Sequence, residues 1–383
     1  MPGPLTGVRV VELPNIGPVQ FAGMLLADMG ADVLRLDRAT DVASGSNVAG
    51  FVSPYSVIDR GRRSAGIDLK HPDAAEVVLR LCEHADVLLE GFRPGVAERL
   101  GVGPAACRAR NDRLVYARMT GWGQDGPLAD DVGHDINYLS LAGVLWHIGP
   151  EGRPPVPPIN LLADFGGGGE LVVMGILAAL VERATSGRGQ TVDAAMVDGS
   201  AQLMSIFFGI DAMHGWGDRG TNILDGGAHF YNVYETADGQ YVSIASYEPK
   251  FYVNLLRLLE LDDLDPVQQM DRSRWPQLKE RFAAIFATRT RDAWVDFFKG
   301  TEVCFAPVLR MSEARAHPHN VARRTFVDVD GAPQPAPAPR FSRTPSEIRR
   351  APVAAGTDTD TALVDWGFAP DEIASLKHAG ILA

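Results

Sequence analysis

The chain begins with a strand–helix–strand unit, and no other feature of the sequence constrains the fold as strongly. Residues 8–13 form an apolar run typical of a buried strand, and residues 31–37 form another. Between them, residues 21–29 have helical character, and Gly30 ends the helix. Two strands joined by a helix at this spacing predict a parallel βαβ unit.

The same alternation continues along the N-terminal part of the chain. Residues 74–84 predict a helix, and residues 85–90 and 114–119 predict further strands. The first ~120 residues are therefore predicted to form a doubly wound, Rossmann-like α/β domain.

The middle of the chain has a different character, which predicts a separate, smaller α+β domain. Residues 230–236 and 240–245 alternate apolar and polar side chains around Asp238-Gly239, a strong signal for a β-hairpin. A further strand is predicted at 190–195. Helices are predicted at 169–182, 201–213, 250–259, 275–286 and 291–298.

Towards the C-terminus, residues 331–340 are rich in proline and alanine, which predicts an extended connector. Residues 360–382 predict two short helices. With 383 residues, the chain is long enough for two domains.

Composition and charge limit the partners and the cell compartment that we expect for this protein. A net charge of -12 argues against a nucleic-acid partner, and a basic patch would be needed to bind an anionic ligand. The three scattered cysteines, with no CxxC pair, are typical of a reducing compartment. The chain shows neither a signal-peptide pattern nor 18 consecutive apolar residues, so we expect a cytoplasmic protein without a membrane span.

A spaced set of acid/base residues carries the chemistry. His134 and Asp135 are adjacent, Asp164 stands two residues before a run of four glycines, and Glu248 follows the predicted hairpin. A neutral imidazole and an ionised carboxylate on opposite faces of one carbon can remove a proton from one side and return it on the other. This set predicts racemase or epimerase chemistry.

Structural explanations exist for the same residues. Asp164 is also a suitable N-cap for the following apolar helix. The glycines, Gly166 to Gly169, either allow a substrate to approach free amides or allow close helix packing. Asp135 either supports the base or bonds a backbone amide, and Glu248 is otherwise a solvated loop acid.

The sequence resembles the family III CoA-transferase superfamily (CaiB/BaiF type), and within it the α-methylacyl-CoA racemase branch. The resemblance runs from residue 4 to about residue 345 and leaves the last ~35 residues without a recognisable signature. The motifs that carry it are GVRVVEL at 7–13, LADMGADV at 26–33, DLK at 68–70, GFRPGV at 91–96, TGWGQDGP at 120–127 and GHDINY at 133–138.

The resemblance implies a large α/β domain built from both chain ends, a small α+β domain inserted between them, and an interlocked homodimer with each active site formed between subunits. The predicted boundaries are 1–200 for the first part of the large domain, 201–225 for a linker helix, 226–315 for the small domain, and 316–383 for the return linker and the rest of the large domain.

The resemblance also implies roles for individual residues. His134 and Asp164 would be the two bases, Glu248 would orient His134 through a hydrogen bond, and Asp135 would support them. The substrate would be an acyl-CoA thioester of lipid metabolism, with no separate cofactor because CoA is part of the substrate. The residues expected to bind the CoA moiety are Arg38, Ile67, Asp68, Leu69, Lys70, Arg93, Gly133, Ile136, Asn137 and Tyr138.

Basic residues after strand ends suit the phosphates of CoA, because ligands bind at the carboxyl edge of α/β sheets. Arg38 ends the second predicted strand and Arg93 follows another. Arg60, Arg62 and Arg63, which precede the segment 67–70, are further candidates for phosphate binding. No metal is expected, since His317 and His319 lack supporting carboxylates or cysteines.

Two other functions stay open from the sequence. In a CoA-transferase, Asp164 would attack the thioester and carry the CoA covalently. A CoA-binding module without catalytic activity would bind the ligand without exchanging its α-proton.

Overall fold

A computed structural model describes residues 3–45 and 55–383, which divide into two compact units. The large unit comprises residues up to Ala142, Ile159–Leu203 and Arg324–Ala383. The small unit comprises Gly143–Pro158 and Met204–Arg323. Both ends of the chain therefore contribute to the large unit, as the resemblance implied.

The large unit is built on a parallel sheet of six strands in the order β3-β2-β1-β4-β5-β6. This is the order of Rossmann-type sheets. The strands of the chain are β1 Arg9–Glu12, β2 Asp32–Arg38, β3 Arg63–Ile67, β4 Val87–Glu90, β5 Val115–Thr120, β6 Thr191–Ala195, β7 Tyr231–Glu235, β8 Tyr241–Ala245, β9 Phe305–Pro307, β10 Phe326–Val329 and β11 Ala332–Pro335.

The predicted N-terminal βαβ unit is confirmed, since β1 and β2 pair in parallel and a helix connects them. The α-helices are α1 Pro18–Asp28, α2 Ala39–Ser44, α3 Ala74–Glu83, α4 Val96–Arg99, α5 Pro104–Arg110, α6 Asp135–Leu141, α7 Leu171–Ser186, α8 Met196–Leu203, α9 Ser205–Ala212, α10 Pro249–Leu258, α11 Trp275–Phe286, α12 Arg291–Phe298, α13 Met311–Ala316, α14 Pro318–Arg323, α15 Thr359–Asp365 and α16 Pro370–His378.

Successive strand residues point to opposite faces of the sheet, and each face has its own apolar core. Val11 and Leu34 pack in one core, with helices α3, α5, α15 and α16. Val10 and Val33 pack in the other, with α1 and α7. Because both faces are covered, the strands read as continuous apolar runs in the sequence.

The C-terminal segment packs against the edge strand of the sheet. Ile67 of β3 forms an antiparallel bridge with Leu382, and the Ala383 amide donates to the Gly66 carbonyl at 3.1 Å. Trp366 is fully buried in the core on this face. The last residues, which carried no signature, thus complete the large unit, and both predicted helices of the tail are present.

The small unit contains a three-stranded antiparallel sheet in the order β7-β8-β9. Strands β7 and β8 form the predicted hairpin. Helices α10, α11 and α12 pack against it through an aromatic core that includes Phe230, Tyr252, Phe282, Phe286 and Trp294.

Two sequence predictions about the chain's organisation were wrong. Residues 201–225 are not one linker helix: α8 ends at Leu203, α9 ends at Ala212, and turns follow. Residues 143–158 cluster with the small unit and not with the large one. The extended segment at 331–340 also contains a strand of the β10–β11 hairpin, where proline is tolerated because an edge strand leaves donor positions unpaired.

One helical stretch, Leu161–Ser186, is long and apolar enough to cross a bilayer by length and composition alone. Core helices of globular proteins pass the same test. Val172, Ile176 and Ala179 of this stretch are buried in the core beside the sheet.

Candidate active site

A cavity of about 370 Å³ opens at the carboxyl ends of the central strands, where α/β sheets bind ligands. His134 and Asp164, the two predicted bases, both line it. Arg93, Gly133 and Tyr138 also line it, together with Ile16, Gly17, Pro18, Val19, Gly91, Phe92, Pro94, Met119, Thr120, Gly121, Trp122, Ala129, Asp131, Val132 and Met196.

Asp164 is held from two sides. It lies inside a π-helical segment, Leu161–Glu170, and therefore does not cap a helix as the structural alternative supposed. The Asn160 side-chain amide donates to its carboxylate at 3.0 Å. The buried carboxylate of Asp135 accepts the backbone N–H groups of Ala163, at 2.8 Å, and Asp164, at 3.0 Å. Asp135 thus bonds backbone amides and positions the residue that carries the base.

The environment of Asp164 raises the pKa of its carboxyl group. Burial raises the pKa of Asp164, and the negative charge of Asp135 raises it further. The hydrogen bond from Asn160 and the nearby His134 act in the opposite direction. A carboxyl whose pKa moves towards that of an imidazole is better matched to exchange protons with a weak carbon acid.

The glycines at 167–169 serve helix packing. A Cβ on Gly167 would lie 2.8 Å from the Ser200 nitrogen, and one on Gly199 would lie 1.9 Å from the Gly167 oxygen. Two residues after Gly167, a Cβ on Gly169 would lie 3.0 Å from the Pro18 oxygen. Of the two explanations, close packing accounts for these contacts, and the glycines lie within the helix.

His134 directly precedes α6, and its exposed side chain faces the cavity. Its backbone N–H donates to the Asn137 side chain at 3.0 Å. Tyr138 is buried, and its hydroxyl donates to the Gly133 carbonyl at 2.5 Å. A Cβ on Gly121 would lie 2.2 Å from the Tyr138 ring, so this glycine makes room for the ring.

Three neighbouring residues that were expected to bind CoA, Ile136, Asn137 and Tyr138, lie in different settings in the structure. Tyr138 reaches the cavity, but its hydroxyl is used to brace the turn before His134. Asn137 caps the helix start. The Ile136 side chain is 42% exposed.

A second cavity of about 610 Å³, the strand-end cleft, lies beside β2 and β3. Arg38 and the segment Ile67, Asp68, Leu69 and Lys70 all line it, so five of the predicted CoA-binding residues meet there. Within residues 3–45 and 55–383, neither Arg38 nor Lys70 takes part in an ion pair, and both are exposed.

The prediction that Arg60, Arg62 and Arg63 collect around phosphates was wrong. Arg62 is fully buried and donates to Glu12 at 2.6 Å and to Asp59 at 2.6 Å. These groups belong to a buried arginine network, defined here as Arg35, Arg60 and Arg62 with the carboxylates of Glu12, Asp28, Asp37 and Asp59.

Arg63 is held in a similar way near the surface. It pairs with Asp32 at 2.8 Å and with Asp365 of α15 at 2.7 Å. Its positive charge is therefore already compensated by two carboxylates.

Glu248 belongs to the small unit. It follows β8, is exposed, and directly precedes α10, where its carbonyl accepts the Phe251 N–H at 3.0 Å. Its hydrogen bond to His134 stays a prediction. In the part of the chain that the structure describes, no cluster of three or more His, Cys, Asp or Glu side chains is arranged to hold a metal ion.

Sequence reasoning missed three residues of the site. Asn160 precedes Asp164 by four residues, a spacing that brings side chains together on a helix. Phe92 lines both cavities, and its position just after a strand could have indicated this. Trp122 packs edge-on against Tyr138, with ring centroids 4.8 Å apart, and no local pattern predicted it.

Known proteins resemble this chain over nearly its whole length. Residues 5–359 match the sequence profile of CoA-transferase family III. The chain is 46% identical to mouse alpha-methylacyl-CoA racemase, covering 99% of this chain and 97% of that protein, and 42% identical to the human enzyme with the same coverage. The crystal structure of Rv3272 from Mycobacterium tuberculosis superposes with a TM-score of 0.77 at 26% identity, covering 94% of this chain and 98% of that one.

Proposed function

This chain belongs to CoA-transferase family III, and from that premise we propose that it is an isomerase, an α-methylacyl-CoA racemase. It would interconvert the (R) and (S) forms of 2-methylacyl-CoA thioesters by 1,1-proton transfer through an enolate. The observation that carries the proposal is the presence of an imidazole, His134, and a carboxyl of raised pKa, Asp164, in the wall of one cavity.

The two side chains divide the work between two faces of the α-carbon. One removes the proton while the other, protonated, delivers a proton to the opposite face. The thioester carbonyl accepts the charge of the intermediate, which a free carboxylate could not do. Asp135 acts on this step indirectly, because it holds the backbone at Asp164.

The CoA moiety would extend from this cavity into the strand-end cleft. Phe92 lines both cavities, so they adjoin within the large unit. Arg38 and Lys70, both exposed at the cleft, would meet the phosphates, and Arg93 would meet the portion nearer the thioester.

Several finer features belong to the same proposal. The large unit would be doubly wound, and two chains would form an interlocked homodimer whose active sites lie between subunits. Glu248 would hydrogen-bond His134 and fix its orientation. The enzyme would work in the cytoplasm, in lipid metabolism, with no cofactor beyond its substrate and no nucleic-acid or membrane partner.

The alternative, a CoA-transferase with Asp164 as nucleophile, finds less support in the small unit. A transferase of this kind is expected to have a glycine-rich lid, but Gly226 and Gly227 lie in a packed turn. The Asp225 carboxylate accepts N–H groups from Gly220, Asn222 and Gly227 at 2.8, 2.8 and 3.2 Å. A Cβ on Gly227 would lie 2.4 Å from the Thr221 carbonyl carbon.

Proton NMR of a 2-methylacyl-CoA in deuterated water, with no acceptor acid, tests the proposal. We expect loss of the α-proton signal and appearance of both enantiomers. Transfer of CoA to an added carboxylic acid without α-proton exchange would instead identify a transferase. CoA binding without α-proton exchange and without CoA transfer would identify a CoA-binding module that has no catalytic activity.

A further inference from the structure

The loop between β4 and α4, residues 91–95, separates the two cavities and is called here the partition loop. Phe92 lines both cavities, whereas Arg93 and Pro94 line the catalytic cavity. Val96, the first residue after the loop, lines the strand-end cleft. The position of this loop therefore determines the shape of both cavities at once.

The start of the partition loop has little room to move. A Cβ on Gly91 would lie 2.8 Å from the Val19 side chain, so the backbone lies directly against α1. The loop ends at Gly95, whose φ of 76° is readily adopted only by glycine. Between these glycines, the Arg93 carbonyl accepts the Val96 N–H at 3.1 Å, and the Phe92 N–H bonds to a set of charged groups behind the loop.

Three residues form that set. Glu90, fully buried at the end of β4, accepts the Phe92 N–H at 2.6 Å. The same carboxylate accepts a hydrogen bond from Arg118 of β5 at 2.9 Å. Arg118, 7% exposed, also donates to Glu98 of α4 at 2.8 Å. One guanidinium thus connects the strand before the loop with the helix after it.

We propose that Glu90, Arg118 and Glu98 are positioning residues that hold the partition loop and thereby set the affinity of the enzyme for the CoA part of its substrate. None of the three lines either cavity, so they act through the loop and not on the reacting atoms. The inference rests on the proposed function, because it assigns the CoA moiety to the two cavities that adjoin at Phe92.

Affinity should change more than the chemical step. His134 and Asp164 lie on other segments and are held by their own hydrogen bonds. A partition loop that moves would widen the path of the CoA moiety without displacing the bases. A merely structural role would instead lower the melting temperature and leave KM unchanged.

Glu98→Gln is the primary test, because its side chain is 46% exposed and the fold should tolerate the change. Glu83→Gln is the matched control: Glu83 pairs with Arg110 at 2.8 Å, is 36% exposed, and lines neither cavity. The measurements are calorimetric titration with free CoA and steady-state racemisation of a 2-methylacyl-CoA.

We expect Glu98→Gln to raise both the Kd for CoA and the KM by about threefold to fivefold, with kcat within about twofold of wild type. Glu83→Gln should leave all three unchanged. Glu90→Gln removes the buried partner and should raise Kd and KM further; if it fails to fold, Glu98→Gln still decides.

Unchanged Kd and KM in Glu98→Gln, or an equal change in Glu83→Gln, would overturn the proposal. Failure of the proposed function is separate and visible in the wild type. A wild-type protein that binds CoA without exchanging the α-proton would refute the racemase, whereas the CoA titrations would still report on the partition loop.

Discussion

The buried arginine network and the strand-end cleft both draw on arginines in or next to strands β2 and β3, yet they use the positive charge differently. In the network, Arg62 is fully buried and contacts two carboxylates. In the cleft, Arg38 is exposed and has no ion-pair partner within the described residues. A charge compensated inside the protein stabilises the fold, whereas one left open at a cavity is available to a ligand. The following predictions test this distinction.

The largest effect should come from the carboxyl group at the reaction centre. Asp164→Asn removes one base, so racemisation should fall about a thousandfold while the fold is kept. Burial also raises the pKa of Asp193 on β6, outside the catalytic cavity, so Asp193→Asn is the control and should stay close to wild type. Equal losses of racemisation in both variants would contradict the role of Asp164.

Breaking the buried network should cost stability. Arg62→Ala leaves Glu12 buried without its ion-pair partner and leaves Asp59 paired with Arg35 alone, and we expect a loss of about 3–5 kcal/mol in urea unfolding. Arg110→Ala removes a surface pair with Glu83 and Glu76 and should cost at most about 1 kcal/mol. A loss below about 1 kcal/mol for Arg62→Ala would mean that the network does not stabilise the fold.

Glu90 shares one feature with each of the two regions. It is buried, as the arginine network is, and through Phe92 it adjoins the cavities. It therefore tests the distinction between the network and the cleft. Burial raises the pKa of Glu90 to about 7, although the Phe92 N–H and Arg118 act against this. Since its folded pKa exceeds the ordinary value of 4.5, its contribution to stability is complete below that value and is lost as the pH rises through 7.

Wild type should therefore lose roughly 2 kcal/mol relative to Glu90→Gln between about pH 5 and pH 8. Unfolding curves of both proteins at several pH values measure this difference. A difference that does not vary with pH would show that Glu90 keeps its charge throughout.

The smallest effect is expected from a substitution in the strand-end cleft. Arg38→Ala should weaken CoA binding about tenfold and leave the free energy of unfolding unchanged, because the guanidinium pairs with no carboxylate of residues 3–45 or 55–383. Arg188→Ala, an exposed arginine that lines neither cavity, is the control. Loss of stability without loss of CoA affinity would place Arg38 with the network instead.

Much of the site could be predicted because its signals are local or are carried by ordered motifs. His134 and Asp164 are thirty residues apart in sequence, and the resemblance assigned both before the cavity that joins them was seen. The resemblance also indicated residues 67–70 as CoA-binding, whereas the position of Arg38 at a strand end predicted its role. The structure adds Asn160 and Phe92, whose roles depend on which side chains they face.

The hydrogen bonds that support the partition loop could not be predicted from local sequence patterns. GFRPGV at 91–96 was recognised as a motif, but its supports come from β5 and α4, and the hydrogen bonds that hold it span up to 28 residues. No periodicity in the sequence indicates which carboxylate an arginine on a neighbouring strand will meet. Strand register decides this, and it places Glu90 opposite Arg118.

By itself, the sequence determined the elements whose signals lie within a few residues: the βαβ start, the hairpin around Asp238-Gly239, and the helices of the small unit. Only the tertiary structure decided which carboxylate each arginine meets. Arg62 meets Glu12 across 50 residues, and Arg63 meets Asp365 across 302. Burial makes an unpaired charge costly, so a buried arginine must find a carboxylate, and only the folded chain shows which arginines are buried.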